Sequence, residues 1–410
     1  MTLPRRPFAG VRFAPRGTDL GVPVLAVLPG GPSDLAGLLP EDLLQRVDDL
    51  PVSSPQEASQ ALQTAPGPRA LTVLRGEIVR YLTITLTERP MEVHPGLQTT
   101  YGEVQRETVR LRTIVTAPAG DGPFPAVVFL QGHGYQSVDT ALVGESVLRD
   151  LLRALGRLGI GVVRSERRGV GDSEGGPPEA VPFATETEDH GAVLDAARGL
   201  PGIDPARVAL FGHSLGGAQA LSLGAERPWL AGVAVYGAGV LSWTEYLDQN
   251  ARRHLGLAGA DPVETERLVR LQQRLSARVL VLGQSLVRCL AEEPELAREA
   301  RHFGVDPEGL WHGHPETYWQ AVYALPTVAH ATALRCPLLA LWGALDHLSS
   351  REEHERLAQL AHGRFQVLPG VDHQLQRQPD ARSAFEGRPG PLHPRVPEVL
   401  GAWVLDLGRG

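Results

Sequence analysis

One serine of this chain sits where a nucleophile can be made. Ser214 lies in Gly212-His213-Ser214-Leu215-Gly216, after the apolar run Val208-Ala-Leu-Phe211 and before the small-residue run Gly216-Gly-Ala-Gln-Ala-Leu. A serine on a sharp strand-to-helix turn needs neighbours without side chains, so that strand and helix can close on each other. The turn leaves the hydroxyl exposed at a helix N-terminus, whose dipole favours developing negative charge. Such a serine performs acyl transfer through a covalent intermediate, provided a base takes its proton. The chain contains no lysine, and all 39 of its basic residues are arginine. Ser–Lys dyads, Schiff-base chemistry, pyridoxal phosphate attachment and a phosphate-loop lysine are therefore excluded. Histidine, present 14 times, is the natural base.

The elements that must position this serine follow from periodicity and turn signals. Strands are expected at Pro125 to Leu130, Gly159 to Arg164, Val208 to Phe211, Leu230 to Tyr236, Pro337 to Trp342 and Phe365 to Leu368. Helices at Leu148 to Leu158 and Asp189 to Leu200 alternate with them, which argues for a mostly parallel sheet with helices on both faces. Between about 240 and 330 the rhythm gives way to Arg- and Glu-rich helical segments and aromatic loops such as Trp311-His-Gly-His314-Pro-Glu-Thr-Tyr-Trp319, which read as a helical cap. At 410 residues, two domains are expected. The domains read as 1–88, a proline- and glycine-marked linker over 89–105, and a large unit over 106–410.

With these pieces in place, residues 105 to 410 resemble the α/β-hydrolase family. Gln131-Gly-His133-Gly134-Tyr135 sits where that family has its oxyanion loop, and Arg167-Arg168-Gly169-Val-Gly171-Asp-Ser173-Glu-Gly175 resembles its D-x-R-G-x-G-x-S loop, with Glu166 in the usual aspartate position. The resemblance gives that second loop a structural role only. It also implies an acid and a histidine after later strands. Asp346 fits the acid, in Trp342-Gly-Ala-Leu-Asp346, and His373 fits the base, in Leu368-Pro-Gly-Val-Asp372-His373. The implied oxyanion donors are the backbone N–H of Leu215 and one from the loop His133-Gly134-Tyr135, with Tyr135 preferred. Other residues carry alternatives. Asp372 would compete as orienter, His213 and His347 read as packing or loop histidines, and His312 with His314 lack a third ligand for a metal. Cys289 has no histidine near it in sequence.

The first 88 residues carry a second set of motifs. Pro29-Gly-Gly-Pro-Ser-Asp-Leu-Ala-Gly37-Leu-Leu-Pro-Glu-Asp42-Leu-Leu, a helix over Ser54 to Thr64, and strands at Val22 to Leu28, Ala70 to Arg75 and Val79 to Leu86 together resemble a PDZ domain, with Glu41 where a glycine is usual. The resemblance implies a carboxylate-binding loop at Phe8, Gly10 and Val11, a sheet completed by its last strand, and a groove that takes a protein C-terminus by strand addition.

Composition bounds the rest. A net charge of −8 without a basic block argues against nucleic acid. No apolar run reaches the roughly 20 residues that span a bilayer, and no signal peptide is legible, so a cytoplasmic protein is expected. Two cysteines are too few for a disulfide framework or a closed zinc site. The expected function is cofactor-free, metal-free hydrolysis of a small ester, as in a carboxylesterase. The alternatives are a serine peptidase of the aminopeptidase or dipeptidyl-peptidase kind and a non-catalytic PDZ scaffold.

Overall fold

The computed structural model describes residues 3–14, 16–142 and 146–408. Contacts divide the chain into two compact units, one ending at Glu92 and the other beginning at Val93.

The first unit runs β1 (Pro7–Phe8), β2 (Val11–Phe13), β3 (Val22–Val27), α1 (Pro32–Leu35), β4 (Leu43–Val47), β5 (Leu50–Pro51), α2 (Pro55–Ala61), β6 (Gly67–Arg75) and β7 (Ile78–Glu88). Its strands pair antiparallel in the order β1-β7-β6-β4-β3-β2, with β5 on β4. Period-two alternation puts Leu71 and Val73 of β6 and Ile84 and Leu86 of β7 into one core with Val22, Val24, Leu44 and Val47. The capping box of Ser54 and Glu57, with Pro55 at the first helical position, starts α2 and points Ala58 into that core. The last strand does close the sheet, with Pro7 opposite Glu88 and Phe8 opposite Thr87. Glu41 has φ +73°, the left-handed conformation that a glycine adopts at no steric cost. Next to it, buried Asp42 holds Arg75 through two hydrogen bonds of 2.7 and 2.8 Å.

The second unit runs β8 (Leu97–Arg106), β9 (Val109–Pro118), β10 (Phe124–Leu130), α3 (Val147–Arg157), β11 (Gly161–Ser165), α4 (Phe183–Ala197), β12 (Ile203–His213), α5 (Leu215–Glu226) and β13 (Gly232–Tyr236). It continues with α6 (Trp243–Leu257), α7 (Pro262–Ser276), α8 (Leu286–Glu292), α9 (Pro294–Glu299), α10 (Glu316–Tyr323) and α11 (Thr327–Ala333). The chain then returns to β14 (Leu338–Gly343), α12 (Arg351–Leu360), β15 (Arg364–Leu368), α13 (Ala381–Phe385) and α14 (Arg395–Asp406). The sheet order is β15-β14-β13-β12-β10-β11-β9-β8. The pairs from β11 to β15 are parallel, while β9 pairs antiparallel with both β11 and β8. Two apolar cores lie on the sheet, one with α4 and α5 and the other with α3 and α14. This is the α/β-hydrolase fold, and α6 to α10 form the inserted cap, with a core of its own around Leu271, Leu275, Phe303, Trp311 and Trp319.

Two sequence expectations are corrected. Residues 89–105 are not a linker throughout, because Leu97–Arg106 is an edge strand paired residue for residue with β9. Its Gln-Thr-Thr-Tyr start is polar because an edge strand presents a wet face, and Pro95-Gly96 marks only where it begins. Helix α4 starts at Phe183 rather than Asp189, and the face it buries includes Glu186, Asp189 and His190. A buried face that carries charge hides the apolar period from sequence. Among the described residues, no helix is long and apolar enough to cross a membrane.

Candidate active site

Strand β12 delivers Ser214 into a backbone conformation of φ +53°, ψ −127°, which is strained for any residue with a side chain. Two hydrogen bonds fix it, Ser214 N–H to the Tyr236 carbonyl at 2.8 Å and Gly217 N–H to the Ser214 carbonyl at 2.7 Å. The flanking glycines are required by backbone contact. A Cβ on Gly212 would lie 2.3 Å from the Gly216 carbonyl oxygen, and one on Gly216 would lie 2.4 Å from that of Leu130. Strand β12, helix α5 and the end of β10 can meet only without those side chains.

Asp346 follows β14 and is buried. Its carboxylate accepts His373 Nδ1–H at 2.9 Å, Ser349 Oγ–H at 2.7 Å, and the N–H groups of Leu348 and Ser349 at 2.7 and 3.0 Å. Burial alone would raise its pKa. The facing His373 and the Ser349 hydrogen bonds outweigh that and hold it well below the usual carboxylate range. His373 lies in the loop after β15, which is pinned from two sides. Tyr236 Oη donates to the Asp372 carbonyl at 2.5 Å, and His213 Nε2 donates to the His373 carbonyl at 2.8 Å. Gly237 makes room for the imidazole, since a Cβ there would lie 2.7 Å from His373 Cε1. Asp372 is spent on its own loop, accepting the N–H groups of Gln374 and Gln376 and the side chain of Gln378. Asp346 is thus the carboxylate that meets His373. With Nδ1 committed to Asp346, the nitrogen that His373 has left for another partner is Nε2.

The loop expected to supply a second oxyanion donor brings His133, rather than the preferred Tyr135, to the cavity wall. The close approach is at Gly132, where a Cβ would lie 2.8 Å from Ser214 Cβ, and it is His133 that shares the cavity wall with Ser214 and Leu215. Gly134 and Tyr135 are absent from that wall; Tyr135 turns to the cap, donating Oη–H to the Gly313 carbonyl at 2.6 Å. The close approach to Ser214 thus falls on the first glycine of the loop and not on the second. Arg167 was also missed as a site residue. Its guanidinium donates to the carbonyls of Gln131 (3.1 Å), Gly132 (2.7 Å) and Gly134.

A cavity of about 530 Å³ opens on Ser214 beneath the cap. Tyr246, Trp243 and Trp319 form a stack along its wall, with centroids 4.6 and 4.8 Å apart, and Leu247, Leu268, Phe303 and Val322 add to an apolar lining. Glu353 is the one carboxylate on that wall among the described residues. It caps α12, accepting Ser350 N–H at 3.0 Å, and burial raises its pKa. His312 lines the cavity, and His314 stacks on Tyr318 at 3.7 Å. Among the described residues, no group of three or more side chains gathers as for a metal. Cys289 is buried in the cap core, and His347 packs against His254 and Phe385.

In the first unit, Phe8 ends β1, Gly10 turns the chain at φ +71°, and Val11 opens the edge strand β2. The carbonyls of Ala9 and Gly10 accept N–H groups from Ser33 and Leu28 at 2.9 and 2.8 Å.

Comparison with known proteins fits this geometry. Residues 144–380, more than half of the chain, match the family model of serine aminopeptidase, S33. The chain belongs to that family. Residues 24–75 of this S33-family protein match the PDZ domain model. Esterase EstD of Thermotoga maritima is 23% identical over 247 residues, covering 59% of this chain and 51% of the esterase. Thiohydrolase aneE of Aspergillus aculeatus is 31% identical over 125 residues, 30% of this chain and 36% of that protein. The match thus spans about half the length of one curated relative and about a third of the other. Among solved structures, DcsB in complex with its substrate analogue aligns with a TM-score of 0.50 at 15% identity, over 77% of this chain and 100% of that one, a likeness of fold alone. The S33-family chain is an α/β-hydrolase enzyme with esterase-like relatives.

Proposed function

We propose that this enzyme is a carboxylesterase for esters with a sizeable apolar acyl group, working through Ser214, His373 and Asp346. What carries the reading is the cavity beside Ser214. It lies within the roughly 300–1,000 Å³ of pockets that enclose small molecules, its lining is mostly apolar, and its one carboxylate is already engaged in capping a helix. An aminopeptidase must hold a substrate ammonium, and this wall offers it no uncommitted carboxylate.

In the reaction, Ser214 Oγ attacks the ester carbonyl carbon while His373 takes the hydroxyl proton. Asp346 stays ionised and steadies the resulting imidazolium. The carbonyl oxygen becomes an oxyanion facing the N–H groups of Leu215 and His133. As the intermediate collapses, the carbon–oxygen bond to the alcohol breaks and His373 returns the proton to the leaving oxygen. Water then adds to the acyl-enzyme by the same route, releasing the carboxylic acid and restoring Ser214.

The test compares p-nitrophenyl acyl esters with aminoacyl p-nitroanilides, using the full chain and Ser214→Ala. Ester turnover and fluorophosphonate labelling, both lost in Ser214→Ala by a factor of about 10⁴ or more, support the reading. Rapid anilide cleavage with negligible ester cleavage would make the enzyme a peptidase, and folded protein that takes up no label would point to the scaffold role.

For the PDZ domain we propose a ligand that is the C-terminus of another chain. A trans peptide points its N–H opposite to its carbonyl. With the Ala9 and Gly10 carbonyls turned to Ser33 and Leu28, the N–H groups of Gly10 and Val11 face the other way. They are suited to a terminal carboxylate, with the peptide adding beside β2. Free-acid peptides ending in an apolar residue should bind in fluorescence titration; equal binding of their amidated forms would rule the carboxylate out.

A further inference from the structure

We propose that Arg167 is a positioning residue for the reaction, aiming the N–H groups of the oxyanion loop at the substrate carbonyl oxygen. This rests on the esterase reading above.

One guanidinium collects three carbonyls from a single loop, those of Gln131, Gly132 and Gly134. Each planar trans peptide that turns its oxygen to Arg167 turns its N–H away. The peptide held through the Gly132 carbonyl, at 2.7 Å, ends in the N–H of His133, the residue on the cavity wall beside Ser214. The neighbouring peptides end in the N–H groups of Gly132 and Tyr135. A cation on the carbonyl side also polarises these peptides, which strengthens their N–H groups as donors. The loop is thus preorganised from behind, by a residue that never meets the substrate.

The cation is itself held. Arg167 is buried, and Glu186 of α4 stands 3.2 Å from its Nε. Glu186 in turn accepts Gln219 Nε2–H at 3.0 Å, which links the pair to α5, the helix that begins just after Ser214. Although burial opposes it, Arg167 keeps the Glu186 carboxyl below its ordinary range and therefore ionised. The next arginine does different work, since Arg168 pairs in two-pronged fashion with Asp189 at 2.6 and 2.8 Å. Lysine could not take Arg167's place, because three carbonyls spread along a loop need a planar fork of donors and not a point charge.

The test uses the full-length enzyme with p-nitrophenyl octanoate and three variants, Arg167→Lys, Arg167→Ala and the double variant Arg167→Gln/Glu186→Gln. The double variant removes both charges, so no lone ion is left buried. Misaimed donors should cost about 10- to 100-fold in kcat, with KM within about threefold and a parallel fall in the rate of fluorophosphonate labelling. Added guanidinium should restore part of the kcat of Arg167→Ala, which a generally loosened fold would not allow. Any folded variant with kcat within threefold of the parent, or one changed in KM alone, overturns the proposal. If Arg167→Ala does not fold, Arg167→Lys and the double variant decide. Ser214→Ala is run alongside. Activity surviving there removes the esterase mechanism and this inference together, whereas a dead Ser214→Ala beside a fully active Arg167→Lys removes this inference only.

Discussion

At the scale of single residues, the site depends on groups that other residues hold still. Asp346 accepts four hydrogen bonds, and only one of them comes from His373. The other three come from Leu348 and Ser349 and keep the carboxylate aimed at Nδ1. With a neutral amide in its place, nothing fixes the imidazole tautomer that leaves the other nitrogen free to accept a proton. Asp346→Asn should therefore lower kcat on p-nitrophenyl esters by about 10⁴ while the protein keeps its fold, as read by steady-state kinetics and circular dichroism. A loss of less than tenfold would show that His373 takes its direction from elsewhere. The turn at Ser214 was legible because its glycines are forced by backbone contact, and Asp346 and His373 stood out because each follows a late strand of the sheet. Arg167 did not. An arginine in a glycine-rich loop looks like any solvated surface residue, and only the folded chain gathers three carbonyls around it.

At the scale of elements, the sheet and the cap carry separate tasks. Strands β10, β12, β13 and β14 end together, and their following loops bring in His133, Ser214, Gly237 and Asp346. The cap supplies most of the apolar wall. Each methylene withdrawn from water gains about 0.8 kcal/mol, so kcat/KM should climb with acyl length until the cavity is filled. Across p-nitrophenyl acetate, butyrate, hexanoate and octanoate, the last should exceed the first by at least tenfold. A series that falls with length would mean the acyl group lies outside this cavity. Sequence rhythm located the cap, because helices rich in Arg and Glu broke the strand–helix alternation. It failed at β8, whose wet face reads like a connection, and at the start of α4, whose buried side is partly ionic.

For the molecule as a whole, pH acts through histidines that the second unit buries or half-buries. Desolvation lowers His190, His213, His254 and His314 to about 4 each. Their unfolded value is about 6.5, so below that pH the unfolded chain takes up protons that the folded chain refuses. Stability is unaffected by these groups above about 6.5 and is lost progressively as pH falls towards 4. Asp346 pulls the same way lower down, since its depressed carboxyl stabilises the fold in full above the unfolded value of about 3.9 and progressively less as pH falls below it. The thermal midpoint should therefore drop steadily between pH 7 and pH 4.5 in scanning calorimetry. A flat midpoint over that range would contradict the burial of these rings.

The cap leaves the sheet after β13 and rejoins it through α11, whose first residue, Thr327, lines the same cavity as Gly237 at the exit. Both ends of the insertion therefore line the same cavity, and neither falls within a strand. Residues can be gained, lost or exchanged between those ends without shifting the register of any strand, although Tyr135 and His347 would lose their cap partners Gly313 and Arg253. A new cap grafted between residues 240 and 326 would leave the sheet intact and change the lining of the cavity.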